Sequence, residues 1–171
     1  MEVNKKILFI KDWILNYVNS MPIKAKSLVI GISGGIDSSV SSTLSAMTGL
    51  KTIAISMPIK QQSFQHDLSL KHQEWLKKKF KNVSSFTIEL DDLFNTFEKT
   101  LSKFNNEHGM ANSRARLRMS TLYQVAAANN GIVVGTGNKV EDFGVGFYTK
   151  YGDGGVDIAP IADFTKNEVW E

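Results

Sequence analysis

Residues 31–39, with the sequence GISGGIDSS, combine small residues with three hydroxyl side chains between an apolar run and a helical pattern. Small residues let backbone N–H groups approach an anion closely, and the N-terminus of a following helix adds the positive end of its dipole. Ser33, Ser38 and Ser39 can donate further hydrogen bonds. The pattern predicts a loop that binds phosphate, called the phosphate loop below; a tight strand-to-helix turn capped by Asp37 or Ser38 is the plainer alternative.

The carboxylate of Asp37 is unusual in such a loop because its charge repels a phosphate. A bridging Mg²⁺ turns that repulsion into a contact, since Mg²⁺ prefers oxygen ligands. No lysine precedes the final serines, which excludes a Walker A loop. The G-x-G-x-x-G pattern of a dinucleotide-binding turn is also missing.

Residues 134–160, VGTGNKVEDFGVGFYTKYGDGGVDIAP, form a second segment rich in glycines, lysines and carboxylates. The segment is too long to be a simple connecting loop, and its aromatic and β-branched residues argue against disorder. We therefore expect an ordered, functional loop. For two of its carboxylates a plainer interpretation exists: Asp142 as a solvated or helix-starting group, and Asp153 as a turn residue.

The S-G-G-x-D-S string at residues 33–38 resembles the pyrophosphate loop of the N-type ATP pyrophosphatases, which cleave ATP between its α and β phosphates. Residues 135–160 resemble the G-T-x-x-x-x-E…T-K-Y-G-D-G-G-x-D-x-x-P signature of the NAD synthetases within that superfamily, and residues 112–119 resemble their N-x-x-A-R-x-R-M helix. The matched motifs are spread over residues 31–166. The resemblance implies a carbon–nitrogen ligase that amidates deamido-NAD to NAD with ammonia, through an adenylated carboxylate, releasing AMP and pyrophosphate.

The same resemblance implies roles for individual residues. The residues that it implies for ATP binding are Gly31, Ile32, Ser33, Gly34, Gly35, Ile36, Asp37, Ser38, Thr136 and Lys166. Asp37 and Lys166 are the expected catalytic residues, and Mg²⁺ is expected between Asp37 and Glu141. The residues expected to bind deamido-NAD are Arg116, Lys150, Asp153 and Asp157.

Further expectations follow from the family's organisation. The family is dimeric, so a homodimer is expected. Residues 57–62 are expected to border the adenosine, although this chain has Ile59-Lys60 where the family often has tyrosine-glycine. Free ammonia is the expected nitrogen donor, unless a separate subunit delivers it, because the chain lacks the cysteine that a glutamine-hydrolysing domain needs. Arg114, Arg116 and Arg118 cannot share one helix face, so at least one of them is expected to be solvated or salt-bridged.

The elements that must position these groups alternate between strand and helix. Apolar or alternating runs predict strands at 27–32, 52–57, 83–90 and 131–135, and helical spacing predicts helices at 4–19, 36–47, 68–80, 93–104 and 111–129. Such alternation predicts an α/β fold with a doubly wound parallel sheet flanked by helices. The resemblance places it in the adenine nucleotide alpha-hydrolase-like (Rossmann-like) class. Ligands bind at the carboxyl ends of such strands, so the loops after Ile32, Met57 and Gly135 are the expected site.

Composition narrows the classes of function. The chain has 171 residues, 42% of them hydrophobic, a net charge of +3 and no cysteine. Its basic residues are dispersed and its histidines isolated, so we expect neither a nucleic-acid partner nor a histidine metal site. No apolar run approaches the ~18 residues of a membrane span, and no signal-peptide pattern opens the chain, so a cytoplasmic protein without a membrane partner is expected.

Thr165 and Glu168 form a capping-box pattern that starts a helix close to residue 171. We therefore expect residues 1–171 to be a single domain that is cut short at its C-terminus. Two rival functions remain at this point: another pyrophosphate-loop ligase, such as a GMP synthetase core or a tRNA-modifying adenylase, and a nucleotide-binding module without turnover.

Overall fold

The protein is described here from a computed structural model that covers residues 2–61 and 63–171. Over these residues the helices are α1 (Val3–Ser20), α2 (Ile36–Met47), α3 (Ser63–Lys79), α4 (Asp91–Thr100), α5 (Glu107–Ala128), α6 (Lys139–Phe143) and α7 (Lys166–Trp170). The strands are β1 (Ser27–Gly31), β2 (Lys51–Ser56), β3 (Val83–Thr87) and β4 (Gly131–Val134). A 3₁₀ turn, Ser102–Phe104, follows α4.

The strands form one parallel sheet in the order β3-β2-β1-β4. The chain builds outwards from β1 to β2 and β3, and then crosses back to place β4 on the other side of β1. The direction of winding therefore reverses between β1 and β4, which is where ligands bind in open parallel sheets. The predicted doubly wound parallel sheet is confirmed.

Each face of the sheet has its own hydrophobic cluster because side chains alternate along a strand. Leu28 and Ile30 of β1 pack with Ile14 of α1 on one face. Val29, between them, belongs to the opposite cluster with Phe94 of α4. Burial on both faces explains why the central strand reads as a continuous apolar run rather than an alternating one.

The observed elements depart from the sequence prediction mainly at their ends. Helix α5 begins at Glu107 rather than residue 111, because Asn106 caps it by accepting a hydrogen bond from the Gly109 N–H at 2.8 Å. Helix α3 begins at Ser63 rather than residue 68, since its first turn is mostly polar and carries no apolar periodicity. Strand β3 ends at Thr87 rather than at residue 90. The short helix α6 was not predicted.

The predicted helix over residues 93–104 is two elements, because the α-helical bonding of α4 ends at Thr100. The capping box at the start of α7 is confirmed: the Thr165 side chain accepts from the Glu168 N–H, and the Glu168 carboxylate accepts from the Thr165 N–H at 2.9 Å. Among residues 2–61 and 63–171, no helix combines the length and apolarity needed to cross a bilayer.

Candidate active site

The phosphate loop leaves β1 and is held in a tight turn by its own hydroxyl groups. The Ile32 N–H extends the sheet by donating to the Ile55 carbonyl at 2.7 Å. The Ser38 hydroxyl accepts from the Ser33 N–H at 3.2 Å and donates to the Gly35 carbonyl at 3.0 Å. Because Gly35 is the N-cap of α2 and has no capping side chain, the first N–H groups of α2 remain available to an anion.

Two carboxylates that are far apart in sequence meet at one ammonium group. Asp37 lies in the first turn of α2, Glu141 lies in α6, and Lys166 is the first residue of α7. The Lys166 Nζ donates to the Asp37 carboxylate and to the Glu141 Oε1, the latter at 3.1 Å. Burial lowers the pKa of Lys166, but the hydrogen bonds to the two carboxylates outweigh it and raise the pKa above its ordinary value.

Asn138, which sequence reasoning did not single out, holds this pair in position. It is fully buried. Its Oδ1 accepts from the Val140 and Glu141 N–H groups at 3.0 and 3.2 Å, and its Nδ2 donates to the Asp37 Oδ1 at 3.0 Å. Asn138 is therefore the N-cap of α6 and a direct partner of Asp37. An asparagine immediately before a helix, bonding to N–H groups two or three residues further on, is a recognised capping pattern, and it was the available signal.

The donor set of the pair suits Mg²⁺. Among the described residues no three histidine or acidic side chains come together as a complete metal site. Mg²⁺ does not need one, because it is usually held by one or two carboxylates together with substrate phosphates and water. Asp37 and Glu141, beside the exposed N–H groups of α2, match that requirement.

Asp142, next to Glu141 in α6, is partly buried rather than in open solvent. Burial and the negative charges of Asp153, Glu141 and Asp37 raise the pKa of Asp142 above its ordinary value. A side chain at Gly137 would collide with the Asp142 carboxylate, so the glycine makes room for it. Asp142 thus adds negative charge near the place where a cation is expected.

A cavity of about 550 Å³ opens beside the phosphate loop at the carboxyl ends of β1, β2 and β4. Its volume lies in the range of small-molecule sites. Gly31, Ile32, Ser33, Thr136 and Asp153 are among the residues that line it. The remaining wall is largely apolar, and it is made by Met57, Ile59, Ala115, Met119, Leu122, Val134, Phe147 and Val156.

Residues 57–61 form one edge of this cavity, while Gln62 lies outside the described residues. Lys60 and Gln61 line the cavity, and the Gln61 Nε2 donates to the Ser33 carbonyl at 3.4 Å. Lys60 has a positive φ of 48° and its ammonium contacts Glu98. This edge is therefore tied both to the phosphate loop and to α4.

Three of the residues assigned to deamido-NAD lie outside the cavity wall. The Arg116 Nε donates to the Lys150 carbonyl at 3.3 Å, and the Lys150 ammonium lies 5.1 Å from the centre of the Tyr151 ring. The Asp157 carboxylate accepts from the Val133 N–H at 2.7 Å and from the Tyr123 hydroxyl at 3.1 Å. Asp157 thereby fastens the 134–160 segment to β4 and α5.

The charge of Asp157 also affects its partner. Burial and the adjacent Asp157 carboxylate raise the pKa of Tyr123 to about 12, so the tyrosine stays a hydrogen-bond donor at neutral pH. Asp153, the fourth residue assigned to deamido-NAD, accepts from the Thr149 N–H at 2.9 Å and lines the cavity. Gly31, Ile32 and Ser33 of the phosphate loop thus share the cavity with Thr136 and Asp153. The other predicted site residues do not line it: Gly34, Gly35, Ile36, Asp37, Ser38, Arg116, Glu141, Lys150, Asp157 and Lys166.

The three arginines of α5 point to three different surroundings. Arg114 lies over the Phe94 ring, 5.5 Å from its centre. Arg116 reaches the 134–160 segment, as described above. Arg118 donates from its Nε to the Met57 carbonyl at 2.9 Å and lines the cavity, so it is a site residue to which the sequence had given no ligand role.

Comparisons with known proteins point in one direction. A profile of the NAD synthase family matches residues 6–171. An NH(3)-dependent NAD(+) synthetase of Mesoplasma florum is 38% identical over 166 residues, which are 94% of this chain and 66% of that protein. The solved NMN synthetase of Francisella tularensis superposes with a TM-score of 0.90 at 33% identity, covering 99% of this chain and 68% of that one.

A second solved structure, the NH3-dependent NAD synthetase of Campylobacter jejuni in complex with the nitrate ion, gives a TM-score of 0.88 at 31% identity. It covers 99% of this chain and 71% of the solved chain. The chain spans about two thirds of the length of the relatives it matches.

Proposed function

The chain belongs to the NAD synthase family, and from that premise we propose that it is the ATP-binding catalytic part of an ammonia-dependent NAD synthetase. The reaction is the ATP-dependent amidation of deamido-NAD to NAD, with AMP and pyrophosphate as the other products. One observation supports this most directly: the Lys166 ammonium joins Asp37 and Glu141 beside the open N-terminus of α2.

The chemistry needs an activated acid, because a carboxylate has no good leaving group for ammonia to displace. The nicotinate carboxylate attacks the α-phosphate of ATP, its C–O–P bond forms, and the bond to the leaving pyrophosphate breaks. Ammonia then attacks the carbonyl carbon, AMP leaves with the C–O bond electrons, and the amide nitrogen loses a proton to solvent.

The residues of the chain contribute alignment and charge. The N–H groups of the phosphate loop and of the first turn of α2 bind the β- and γ-phosphates. Lys166 offsets negative charge on the leaving pyrophosphate, and Asn138 keeps Asp37 in its rotamer. Asp37 and Glu141 would hold Mg²⁺, which would neutralise phosphate charge when bound.

The acceptor lies on the other side of the cavity in this proposal. Thr136 contacts ATP at the end of β4, and Asp153 orders the 134–160 segment through Thr149. Arg116 and Lys150 supply cations for an anionic dinucleotide, while Asp157 contacts it from beside β4. A homodimer, free ammonia as nitrogen donor and a cytoplasmic location complete the proposal.

The test is direct detection of NAD by mass spectrometry after incubation with deamido-NAD, ATP, Mg²⁺ and ammonium. NAD with an equal amount of AMP is expected, and omission of ammonium should leave only the activated acid. ATP binding without any AMP would instead identify a nucleotide-binding module without turnover.

A second candidate acceptor is raised by the likeness to the Francisella tularensis NMN synthetase. An NMN synthetase makes the amide of a mononucleotide, so the same assay should be run with nicotinic acid mononucleotide. Formation of NMN at a higher kcat/KM than that of NAD would reassign the acceptor but keep the ligase chemistry. Xanthosine monophosphate as a third acceptor tests for a GMP synthetase core, and we expect no product from it.

A further inference from the structure

Arg118 is a half-buried cation in the cavity wall, and its surroundings leave its charge unmatched. Its Nε donates to the Met57 carbonyl at 2.9 Å. A guanidinium has five N–H donors, so this one bond leaves most of them for other partners. Among the ion pairs between described residues, none includes Arg118.

The charged groups around the cavity do not compensate Arg118. Lys60 is itself a cation and is paired with Glu98. Asp153 is exposed and its carboxylate is engaged by the Thr149 N–H. Arg114, one turn earlier on α5, adds a second positive charge on this side, and burial together with Arg114 lowers the pKa of Arg118.

A guanidinium remains charged under these conditions, and a partly buried charge without a counter-ion is unfavourable. An anion entering the cavity would relieve this cost. The bond to Met57 also restrains the guanidinium plane, so that its remaining N–H groups are oriented before a ligand arrives. A fork of that kind suits the paired oxygens of a phosphate or a carboxylate.

We propose that Arg118 binds an anionic oxygen, of a phosphate or a carboxylate, on the nucleotide that occupies this cavity. The inference rests on the proposed function, and it gives Arg118 a ligand contact beyond the residues assigned to ATP and deamido-NAD above. Two sources supply this chemistry: ATP, and the acceptor deamido-NAD.

The test is calorimetric binding of three ligands, adenosine, ATP and deamido-NAD, to the wild type and to Arg118→Met. Methionine keeps the apolar length of the side chain and removes the charge. Arg114→Met is the matched control, because it removes an arginine of the same helix that packs on Phe94 instead. Arg118→Lys keeps a cation and serves as a second variant should Arg118→Met fold poorly, as judged by its circular dichroism.

We expect Arg118→Met to weaken the binding of either ATP or deamido-NAD by roughly 10- to 100-fold. This is the range for the loss of a hydrogen bond to a charged group. The ligand that is weakened identifies the source of the anion. Adenosine, which has no anionic group, should bind Arg118→Met as it binds the wild type. Arg118→Lys should lie between the wild type and Arg118→Met, because it keeps the charge but loses the fork.

If Arg118 had a purely structural role, through the bond to Met57 alone, Arg118→Met would weaken the binding of adenosine and of the charged ligands equally. That result would overturn the inference. Unchanged binding of both ATP and deamido-NAD would overturn it as well. Salt should also affect the binding of this ligand less in Arg118→Met than in Arg114→Met. The reason is that Arg118→Met has lost a charge contact that salt screens. Binding is measured without turnover, so an inactive wild type that binds ATP would contradict the proposed function and leave this inference standing.

Discussion

Lys166 is the side chain that makes the candidate site a single unit, because its ammonium touches both Asp37 and Glu141. The side chain of Asp37 is only 14% exposed, so its charge is screened less than that of a surface carboxylate. In the free protein Lys166 neutralises Asp37. In the proposed reaction Asp37 and Glu141 would instead hold Mg²⁺, and Lys166 would be free to offset phosphate charge.

Asp37→Asn tests the charge of this group with little change of shape. We expect the rate of pyrophosphate release to fall by roughly 10²–10³-fold, the size found when one charge-stabilising group is removed from an active site. An asparagine oxygen can still accept from Asn138, but its NH2 group then faces the Lys166 ammonium, so the thermal midpoint should fall. The rate is therefore measured well below that midpoint.

The matched control is Asp12→Asn on α1, where the aspartate pairs only with the neighbouring Lys11 at 3.2 Å. It should release pyrophosphate at the wild-type rate. A rate for Asp37→Asn within about twofold of the control would remove Asp37 from the catalytic residues, since even a modest transition-state contact is worth more than that.

Asn138 joins Asp37 to the N-terminus of α6, which carries Glu141, so its removal should affect both stability and chemistry. Asn138→Ala deletes the cap of α6 and the hydrogen bond to Asp37. We expect a loss of about 2–4 kcal/mol in the free energy of unfolding, measured in urea, together with slower pyrophosphate release.

Asn106→Ala is the control for capping alone, because Asn106 caps α5 at an exposed position. It should cost about 1 kcal/mol and leave the rate unchanged. Equal costs and equal rates for the two variants would mean that Asn138 is only a cap.

Among the elements, the turn from β1 into α2 depends on one backbone conformation. Gly34 has a φ of +88°, and a Cβ there would lie 2.6 Å from the Gln65 carbonyl oxygen. The loop therefore packs against α3 so closely that only glycine fits.

Gly34→Ala should destabilise the protein by more than Gly49→Ala, which shares a positive φ of +80° but has no atom within 4 Å of the new Cβ. We expect about 1–2 kcal/mol at Gly49 from the left-handed conformation alone, and a further 1–3 kcal/mol or so at Gly34 from the collision. Urea unfolding measures both values. Calorimetry should show weakened ATP binding for Gly34→Ala only; equal ATP affinities would mean that the loop does not bind phosphate.

For the molecule as a whole, β1 is a central strand that contributes to both hydrophobic clusters, and the phosphate loop continues from it. Ile30 is fully buried, whereas Ile23, before the strand, is 86% exposed. Ile30→Ala should therefore lower the free energy of unfolding by about 2–5 kcal/mol, and Ile23→Ala should change it by less than about 0.5 kcal/mol. Urea denaturation with an unchanged m-value would show that the loss is one of packing. A cost for Ile30→Ala as small as that for Ile23→Ala would contradict the two-sided core.

Much of this architecture is readable from local sequence. Three kinds of feature depend only on residues that are neighbours in sequence, so their patterns can be recognised in the sequence alone. They are the apolar runs of β1, β2 and β4, the glycine-rich turn before Asp37 and the capping box at Thr165. A parallel sheet with crossover helices follows from the strand–helix alternation, since parallel crossovers have one preferred hand. The family was also recognisable from motifs.

The contacts that turn these motifs into a site are different in kind. Asn138 bonds to Asp37 across 101 positions, and Lys166 contacts Asp37 across 129. Arg118 faces the cavity while Arg116, two residues away, reaches the 134–160 segment. Such pairings depend on how the helices cross the sheet at the β1/β4 reversal, and nothing in the spacing of a single segment encodes that. Local propensity sets the elements, whereas side-chain partners come from packing between segments that the chain brings together only when it folds.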